Sequence, residues 1–282
     1  MCIRDRLEYR VEDGTGDHVK ADHTMSVRQV LAEWKPAGFE LLDLREFLPG
    51  QHLFVLRARG SGASGEPVED YDLFDAIAQK KVEVDAVGAG PEAVTIRIRR
   101  NTPRKIIVTA PVGVYFGSTA KRRDMIARRD SAVTLYEDGW KDWTIRAVAR
   151  QKGRPDAKAA DRFDILPPRA EPTLAELMHM IQVGTYTVDD SPTLYPPRSH
   201  KLEQTAVWIA DQNLSYSEVA GYAEEERIPA QYSVAFALVF LDRAGIDVTT
   251  RRVWQDRGEF FGVLRDQGLK VWYGVKNGTP IR

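Results

Sequence analysis

The apolar positions between residues 25 and 58 change their period along the chain. They first recur at helical spacing, at Val27, Val30, Leu31 and Trp34. Ser26 and Gln29 form a capping-box pair at the start of this run. Residues 39–47 and 52–57 then follow as two apolar stretches of strand length. The pattern predicts a helix and then an antiparallel hairpin, and the second strand is apolar enough to need cover on both faces.

From residue 82 onward, apolar positions alternate with polar ones, which is the period of a half-buried strand. Such runs occur at residues 82–86, 94–98, 106–109, 112–116, 132–136 and 143–148. Turn-forming residues separate them, among them Asp138-Gly139. Short strands at this spacing favour an antiparallel sandwich or barrel, and we predict an antiparallel β-sandwich over residues 72–167.

The last third of the chain returns to helical spacing. Leu174, Leu177 and Ile181 mark one apolar helix face, and Ser215 with Glu218 forms a capping box for a later helix. Short helices of this kind are not stable alone. We therefore predict that they pack together as a small α-helical bundle.

A polar stretch rich in glycine and serine, within residues 59–71, predicts a flexible linker. The predicted fold class is therefore mixed. In chain order we expect a spurious or disordered opening (1–6), an α/β fragment (7–58), the linker (59–71), the β-sandwich (72–167) and the helical bundle (168–282).

The charge and the residue inventory narrow the classes of function. The formal net charge is −1, so no overall field favours nucleic acid or an anionic membrane. No apolar run is long enough to span a bilayer. The only cysteine is Cys2, which excludes an internal disulfide, and the five histidines lack a metal-ligand spacing. We expect no nucleic-acid partner, no metal, no membrane span and a cytoplasmic location.

Basic residues cluster in the predicted β region. The first run comprises Arg97, Arg99, Arg100, Arg104 and Lys105, and the second comprises Lys121, Arg122, Arg123, Arg128 and Arg129. A surface for single-stranded nucleic acid would interleave such residues with stacking aromatic side chains, and these runs contain none. We interpret them as a solvated strand face.

Residues 7–58 resemble the C-terminal end of a class I S-adenosylmethionine-dependent methyltransferase. The resemblance rests on Leu7-Glu8-Tyr9-Arg10, His23-Thr24-Met25, Ala37-Gly38-Phe39 and Phe47-Leu48-Pro49-Gly50-Gln51-His52. It implies that this α/β fragment holds the last strands of such a sheet. It further implies substrate-side roles for Glu8, Tyr9, Arg10 and His23. The glycine-rich loop and the acidic residue that bind the cofactor in such folds have no counterpart here. S-adenosylmethionine is therefore implied for a full-length parent, and no cofactor for this chain.

The first six residues, Met-Cys-Ile-Arg-Asp-Arg, resemble the spurious opening of gene fragments from environmental sequencing, and we expect an N-terminally truncated chain. The α/β fragment would then lack most of its sheet, and an unpaired apolar edge tends to pair with another chain. We expect the fragment either to dock on the downstream domains or to self-associate through that edge. If it is a remnant, deleting residues 1–59 should leave the remainder cooperatively folded.

A second resemblance concerns Gln204-Thr205-Ala206-Val207-Trp208. This run is similar to the Thr-Gln-x-Ala-Ile-Trp pattern of thioester domains in bacterial surface adhesins, whose glutamine is joined to a distant cysteine. Here Glu203 replaces the threonine and no usable cysteine exists, so a thioester cannot form. Gln204 and Trp208 are binding candidates. The simpler interpretation is a helix-surface amide at Gln204 and a core side chain at Trp208.

Two functions follow from these resemblances. In the first, the chain is the truncated C-terminal part of a methyltransferase, fused to a non-catalytic β-sandwich and helical module and inactive alone. In the second, it is a non-enzymatic binding or surface-associated module related to the adhesin domains but without the thioester. Both leave the identity of the partner open.

Overall fold

The computed structural model describes residues 3–11, 24–48, 50–61, 65–169, 171–183, 199–224 and 228–278. Contacts within the chain divide it into two compact units. Unit 1 comprises residues 1–147 and 155–168, and unit 2 comprises residues 148–154 and 169–282. The linker and domain boundaries expected from composition stay predictions.

Unit 1 is built mainly from strands. They are β1 (Ile3–Tyr9), β2 (Phe39–Arg45), β3 (Gln51–Ala58), β4 (Glu69–Asp72), β5 (Val82–Gly88), β6 (Ala93–Arg100), β7 (Ile106–Ala110), β8 (Tyr115–Ser118), β9 (Met125–Ala127), β10 (Ser131–Leu135), β11 (Lys141–Ala149) and β12 (Arg162–Leu166). The last two residues of β11 belong to unit 2. The helices of unit 1 are α1 (Val27–Trp34) and α2 (Leu73–Ala78).

Six strands close into an antiparallel barrel in the order β11-β6-β5-β12-β8-β9, so the predicted β-sandwich is wrong. β12 explains the closure, because it pairs with β5 at one end and with β8 along its length. Residues 162–166 were not recognised as a strand from sequence. A closed barrel has no open sheet edges between its strands. On β6, the completely buried Val94, Ile96 and Ile98 alternate with more exposed side chains.

The predicted methyltransferase-like α/β fragment is also wrong. β1, β3 and β2 form a three-stranded sheet with antiparallel pairs only, whereas the doubly wound sheet of such an enzyme is mostly parallel with helices on both faces. The sheet and α1 share one core with Val68 and Ile107, and Ala132 and Tyr136 pack against it. Of the two alternatives for this fragment, the structure shows docking within unit 1. Self-association stays a prediction.

Buried polar bonds also tie α1 to the rest of unit 1. The predicted capping box is confirmed, since Ser26 Oγ accepts the N–H of Gln29 at 3.1 Å and Gln29 Oε1 accepts the N–H of Ser26 at 3.0 Å. The same hydroxyl donates to Asp130 Oδ2 at 2.8 Å, and Asp130 Oδ1 accepts the N–H of Val112 at 2.8 Å. Both Ser26 and Asp130 are buried. Because a buried acceptor that loses its donor is costly, this helix start and Asp130 stabilise each other.

A second three-stranded sheet lies beside this core, in the order β10-β7-β4, with β4 parallel to β7. Its central strand is buried throughout, and Ile107 contributes to the shared core. Tyr136 follows β10, and its hydroxyl accepts the N–H of Leu44 on β2 at 2.9 Å. Burial raises the pKa of Tyr136, although the hydrogen bond from Leu44 acts in the opposite direction.

Unit 2 is helical, as expected for the C-terminal third. Its helices are α3 (Pro172–Val183), α4 (His200–Gln212), α5 (Tyr216–Ala223), α6 (Ala230–Arg243), α7 (Arg252–Gln255) and α8 (Gln267–Lys276), with short 3-10 helices at Val248–Thr250, Arg257–Glu259 and Phe261–Val263. The predicted capping box of Ser215 and Glu218 is present at the start of α5. α6 is buried along most of its length and packs against α4 and α5, as an all-round apolar helix requires. In the described ranges, no helix is both long and apolar enough to cross a membrane.

Candidate functional site

The structure places Glu8 and Tyr9 on β1, opposite His52 and Gln51 of β3. Glu8 forms an ion pair with Arg6 of the same strand. The carbonyl of Tyr9 accepts the N–H of Met25 at 2.9 Å, and its side chain is half exposed. His23, the fourth predicted acceptor-side residue, lies outside the described residues. The predicted roles of these residues stay predictions.

Arg10 and Glu46 hold the turn between β2 and β3. Arg10 Nε donates to the carbonyl of Gln51 at 3.2 Å, and its Nη2 lies 3.7 Å from Glu46 Oε1. The buried His52 places Nδ1 3.3 Å from the same carboxylate oxygen. Burial raises the pKa of Glu46, but His52, Arg10 and Lys141 together lower it further, so the net pKa lies below the usual range. Arg10 therefore has a structural role at the hairpin turn.

The lowered pKa of Glu46 predicts a loss of stability in acid. A carboxyl group whose pKa is lower in the folded state contributes stability above its unfolded pKa and loses it as the pH falls through the folded pKa. We expect the free energy of unfolding, measured by urea denaturation, to fall less for Glu46→Gln than for the parent between about pH 5 and pH 3. Glu137→Gln makes the same chemical change at an exposed position and controls for net charge. Parallel pH profiles for the parent and Glu46→Gln would contradict the assignment.

Gln204 lies on the buried face of α4, so the interpretation of a helix-surface amide is wrong. It is 1% exposed. Its Oε1 accepts the N–H of Ala149 at 2.6 Å, and its Nε2 donates to the carbonyl of Ala149 at 2.6 Å. The amide therefore pairs with both backbone groups of one residue, as a residue of a neighbouring antiparallel strand would. Both of its polar atoms are used for structure.

The same face of α4 also binds Arg150 and Lys152 of segment 148–154. Arg150 Nε lies 3.0 and 3.1 Å from the two carboxylate oxygens of Asp211, and Gln212 Oε1 accepts the N–H of Lys152 at 2.8 Å. Two-point contact between a guanidinium and a carboxylate is geometrically selective. Gln204, Asp211 and Gln212 recur at a spacing that keeps them on one side of a helix. These three side chains form a row along α4 that binds this segment.

Trp208 is a core side chain, as the simpler interpretation expected. It is 1% exposed, and its ring centre lies 4.7 Å from that of Tyr222 on α5. The Tyr222 hydroxyl lies 3.2 Å from Nδ1 of His200 at the start of α4. These contacts join α4 to α5, and they leave Trp208 with a packing role within unit 2.

The outer side of the barrel carries an exposed tryptophan beside two arginines. Trp140 directly precedes β11, and 45% of its surface is exposed. The guanidinium carbons of Arg97 and Arg99 on β6 lie 5.6 and 5.0 Å from the centre of its ring, within the range of a cation–π contact. These contacts hold the indole against a regular strand while a large part of it faces solvent.

Acidic side chains on the neighbouring strands face these arginines. Arg97 lies opposite Asp85 on β5 and Asp142 on β11, and Arg99 lies opposite Glu83. Arg99 Nη2 is 2.5 Å from Glu83 Oε2, and Arg97 Nε is 3.7 Å from Asp142 Oδ1. Opposite charges facing each other across strands are mutually stabilising. We call Glu83, Arg97, Arg99, Trp140 and Asp142 the Trp140 face, and its two carboxylates balance its two guanidinium groups. Asp85 leaves this balance unchanged, because it pairs with Arg162 at 3.0 Å.

The predicted basic strand face is only partly present, because Arg128 and Arg129 are buried, and the prediction did not include the tryptophan. Arg97 and Arg99 do lie on a solvated strand face, as predicted. Arg100 does not, because its side chain is 9% exposed and donates to three carbonyls of the following loop. Trp140 comes about forty residues after Arg100, and only the pairing of β6 with β11 brings it beside the arginines. The correct register between β6 and β11 would have been needed to predict that Trp140 lies beside these arginines.

In the part of the chain that the structure describes, no three histidine, cysteine, aspartate or glutamate side chains lie together as metal ligands would. Comparisons with protein-family models, with curated proteins and with solved structures return no match for this chain. The Trp140 face is therefore the candidate site on geometric grounds alone.

Proposed function

We propose that this chain is a non-enzymatic binding module whose ligand lies on the Trp140 face. The observation that carries the proposal is the position of Trp140, which is 45% exposed yet held by Arg97 and Arg99 on a regular strand. The two arginines that hold the ring lie on β6, and side chains placed on strands keep their geometry without a ligand. Tryptophan and arginine are also the side chains most enriched where binding energy concentrates.

The hydrogen bonds of the Gln204 side chain in unit 2 favour a binding function over acyl transfer. Gln204 corresponds, in the sequence resemblance, to the glutamine that thioester domains join to cysteine, and its amide is bound by both backbone groups of Ala149. A saturated, buried amide stabilises its surroundings and is poorly placed to react. The likeness to adhesin domains would then lie in the helix and its buried face, without the covalent bond.

A methyltransferase function has less support. Cofactors of doubly wound folds bind beyond the carboxyl ends of parallel strands. The sheet of β1, β3 and β2 has antiparallel pairs only, and its apolar side is used by the core of unit 1. The binding proposal requires no cofactor.

A ligand panel with matched variants tests the proposed function. The immobilised full chain is exposed to neutral oligosaccharides, sulfated oligosaccharides, single-stranded oligonucleotides, and acidic and basic peptides. We expect retention of at least one class that falls about tenfold or more in Trp140→Ala, in line with the roughly 2 kcal/mol typical of a binding hot spot. Phe47→Ala is the control, since Phe47 is exposed elsewhere in unit 1. Retention that Trp140→Ala leaves intact, or no retention of any class, contradicts the proposal.

A further inference from the structure

We propose that the ligand of the Trp140 face is a neutral polysaccharide, with one sugar ring stacked on the indole of Trp140 and its hydroxyls bound by the flanking charged side chains. This inference rests on the proposed function and names the ligand class for the same site. It follows from the shape of the exposed ring, the charge balance around it and the spacing of the strands beneath it.

The exposed indole fits a flat, weakly polar ligand face. A pyranose whose hydroxyls are equatorial carries its C–H groups on the two ring faces, and those faces match an aromatic plane. Trp140 combines a large apolar surface with a polar N–H, and Arg97 and Arg99 hold it beside β6. Little side-chain freedom then remains to be lost on binding, which lowers its cost.

The alternating charges of the Trp140 face disfavour a ligand that carries charge of one sign. An anionic chain would meet the carboxylates of Glu83 and Asp142, and a cationic one would meet Arg97 and Arg99. The same alternation suits hydroxyl groups, because each hydroxyl both donates and accepts. These four side chains are 43–71% exposed, so they can bind a ligand without leaving their strands. Nucleic acid would instead require an excess of basic groups.

The spacing of the strands suits a chain of sugars better than a single one. β5, β6 and β11 lie side by side, and neighbouring strands are about 4.8 Å apart, so the Trp140 face spans roughly 10 Å. Thr95 on β6 and Thr144 on β11 extend the polar surface along those two strands, with their hydroxyl oxygens 3.3 Å apart. A short run of sugars lying across the strands would contact the ring and the flanking charges together.

The experiment is isothermal titration of the full chain with neutral and sulfated sugars. The neutral probes are β-1,4-linked hexamers of glucose, xylose, mannose and N-acetylglucosamine, and the sulfated glucose hexamer is the anionic counterpart. We expect binding of at least one neutral hexamer that is unchanged between low and high salt. Affinity should fall tenfold or more in Trp140→Ala and recover in part in Trp140→Phe, which keeps an aromatic plane. Arg97→Gln and Asp142→Asn should each weaken binding severalfold.

Two controls keep the outcomes separable. Thermal unfolding shows whether each variant keeps the parental fold, and Phe47→Ala should bind as the parent does. Binding only of the sulfated hexamer, or affinity that falls steeply with salt, overturns the neutral-sugar inference. Trp140-dependent binding of a peptide or oligonucleotide alone also overturns it while leaving the proposed function standing. If no ligand binds in a Trp140-dependent way, both proposals fail.

Discussion

Deleting residues 1–59 is expected to abolish the cooperative unfolding of unit 1. The deletion removes every member of the shared apolar core except Val68 and Ile107, together with Ser26, the donor to the buried Asp130. Each large side chain withdrawn from such a core costs roughly 1.5–3 kcal/mol, and a whole domain is typically stable by only about 5–15 kcal/mol. Differential scanning calorimetry of residues 60–282 against the full chain measures the loss. This expectation is the opposite of the sequence-based prediction, in which the deletion leaves the remainder cooperatively folded.

A pair of point variants separates loss of this core from loss of chain length. Phe54 is completely buried in the shared core, so Phe54→Ala should lower the free energy of unfolding by about 3–5 kcal/mol. Phe47 lies in the same hairpin and is 68% exposed, so Phe47→Ala should change it by less than about 0.5 kcal/mol. A 60–282 fragment that melts cooperatively at the parental midpoint would show that the core of unit 1 is complete without the first sheet.

Replacing Gln204 by alanine is expected to destabilise unit 2 by roughly 2–6 kcal/mol, because two buried backbone groups lose their partners at about 1–3 kcal/mol each. Those groups are the N–H and the carbonyl of Ala149, which is itself 1% exposed. Chemical denaturation followed by circular dichroism of the helices measures the change. Gln204→Glu should be nearly as harmful, since it loses the donor and turns a carboxylate toward the Ala149 carbonyl.

Gln212 provides the matched control on the same helix. It makes one bond to the same segment, from the N–H of Lys152, at a half-buried position. Gln212→Ala should therefore cost only about 1 kcal/mol. If Gln204→Ala were no more harmful than Gln212→Ala, the paired bond to Ala149 would not be the reason for a buried glutamine at this position.

Local signals in the sequence predicted local structure well. The capping boxes at Ser26 and Ser215 formed as expected because each depends on residues only three apart. Gly38 adopts a φ of +88°, the left-handed conformation predicted for it, in the turn that follows the C-cap residue Lys35. Such features are fixed by neighbouring residues, and a sequence displays neighbouring residues directly.

Contacts between residues that are far apart in the chain could not be predicted from the sequence. An apolar strand such as β3 shows that cover is needed, but Ile107 and Tyr136 cannot be identified as that cover from periodicity. The barrel closes through β12, whose five residues gave no strong strand signal. Gln204 carries a polar side chain, and only its pairing with Ala149 explains why it is buried. The candidate site could not be predicted for the same reason, because only the register between β6 and β11 places Trp140 beside Arg97.

The order in which the shared core is made along the chain bears on how the protein is synthesised. α1 and the strands β1 to β3 are complete by Ala58, yet their apolar side is closed by residues that extend to Tyr136, about 80 positions later. At roughly 5–20 residues per second, a ribosome needs roughly 4–16 seconds to add that stretch. During this interval the apolar sheet of the nascent chain is covered by α1 but not yet by the later residues of its core, and exposed apolar surface of this kind is what chaperones bind and other nascent chains aggregate with. Slower translation between these two points should lower the yield of folded protein more than equal slowing elsewhere.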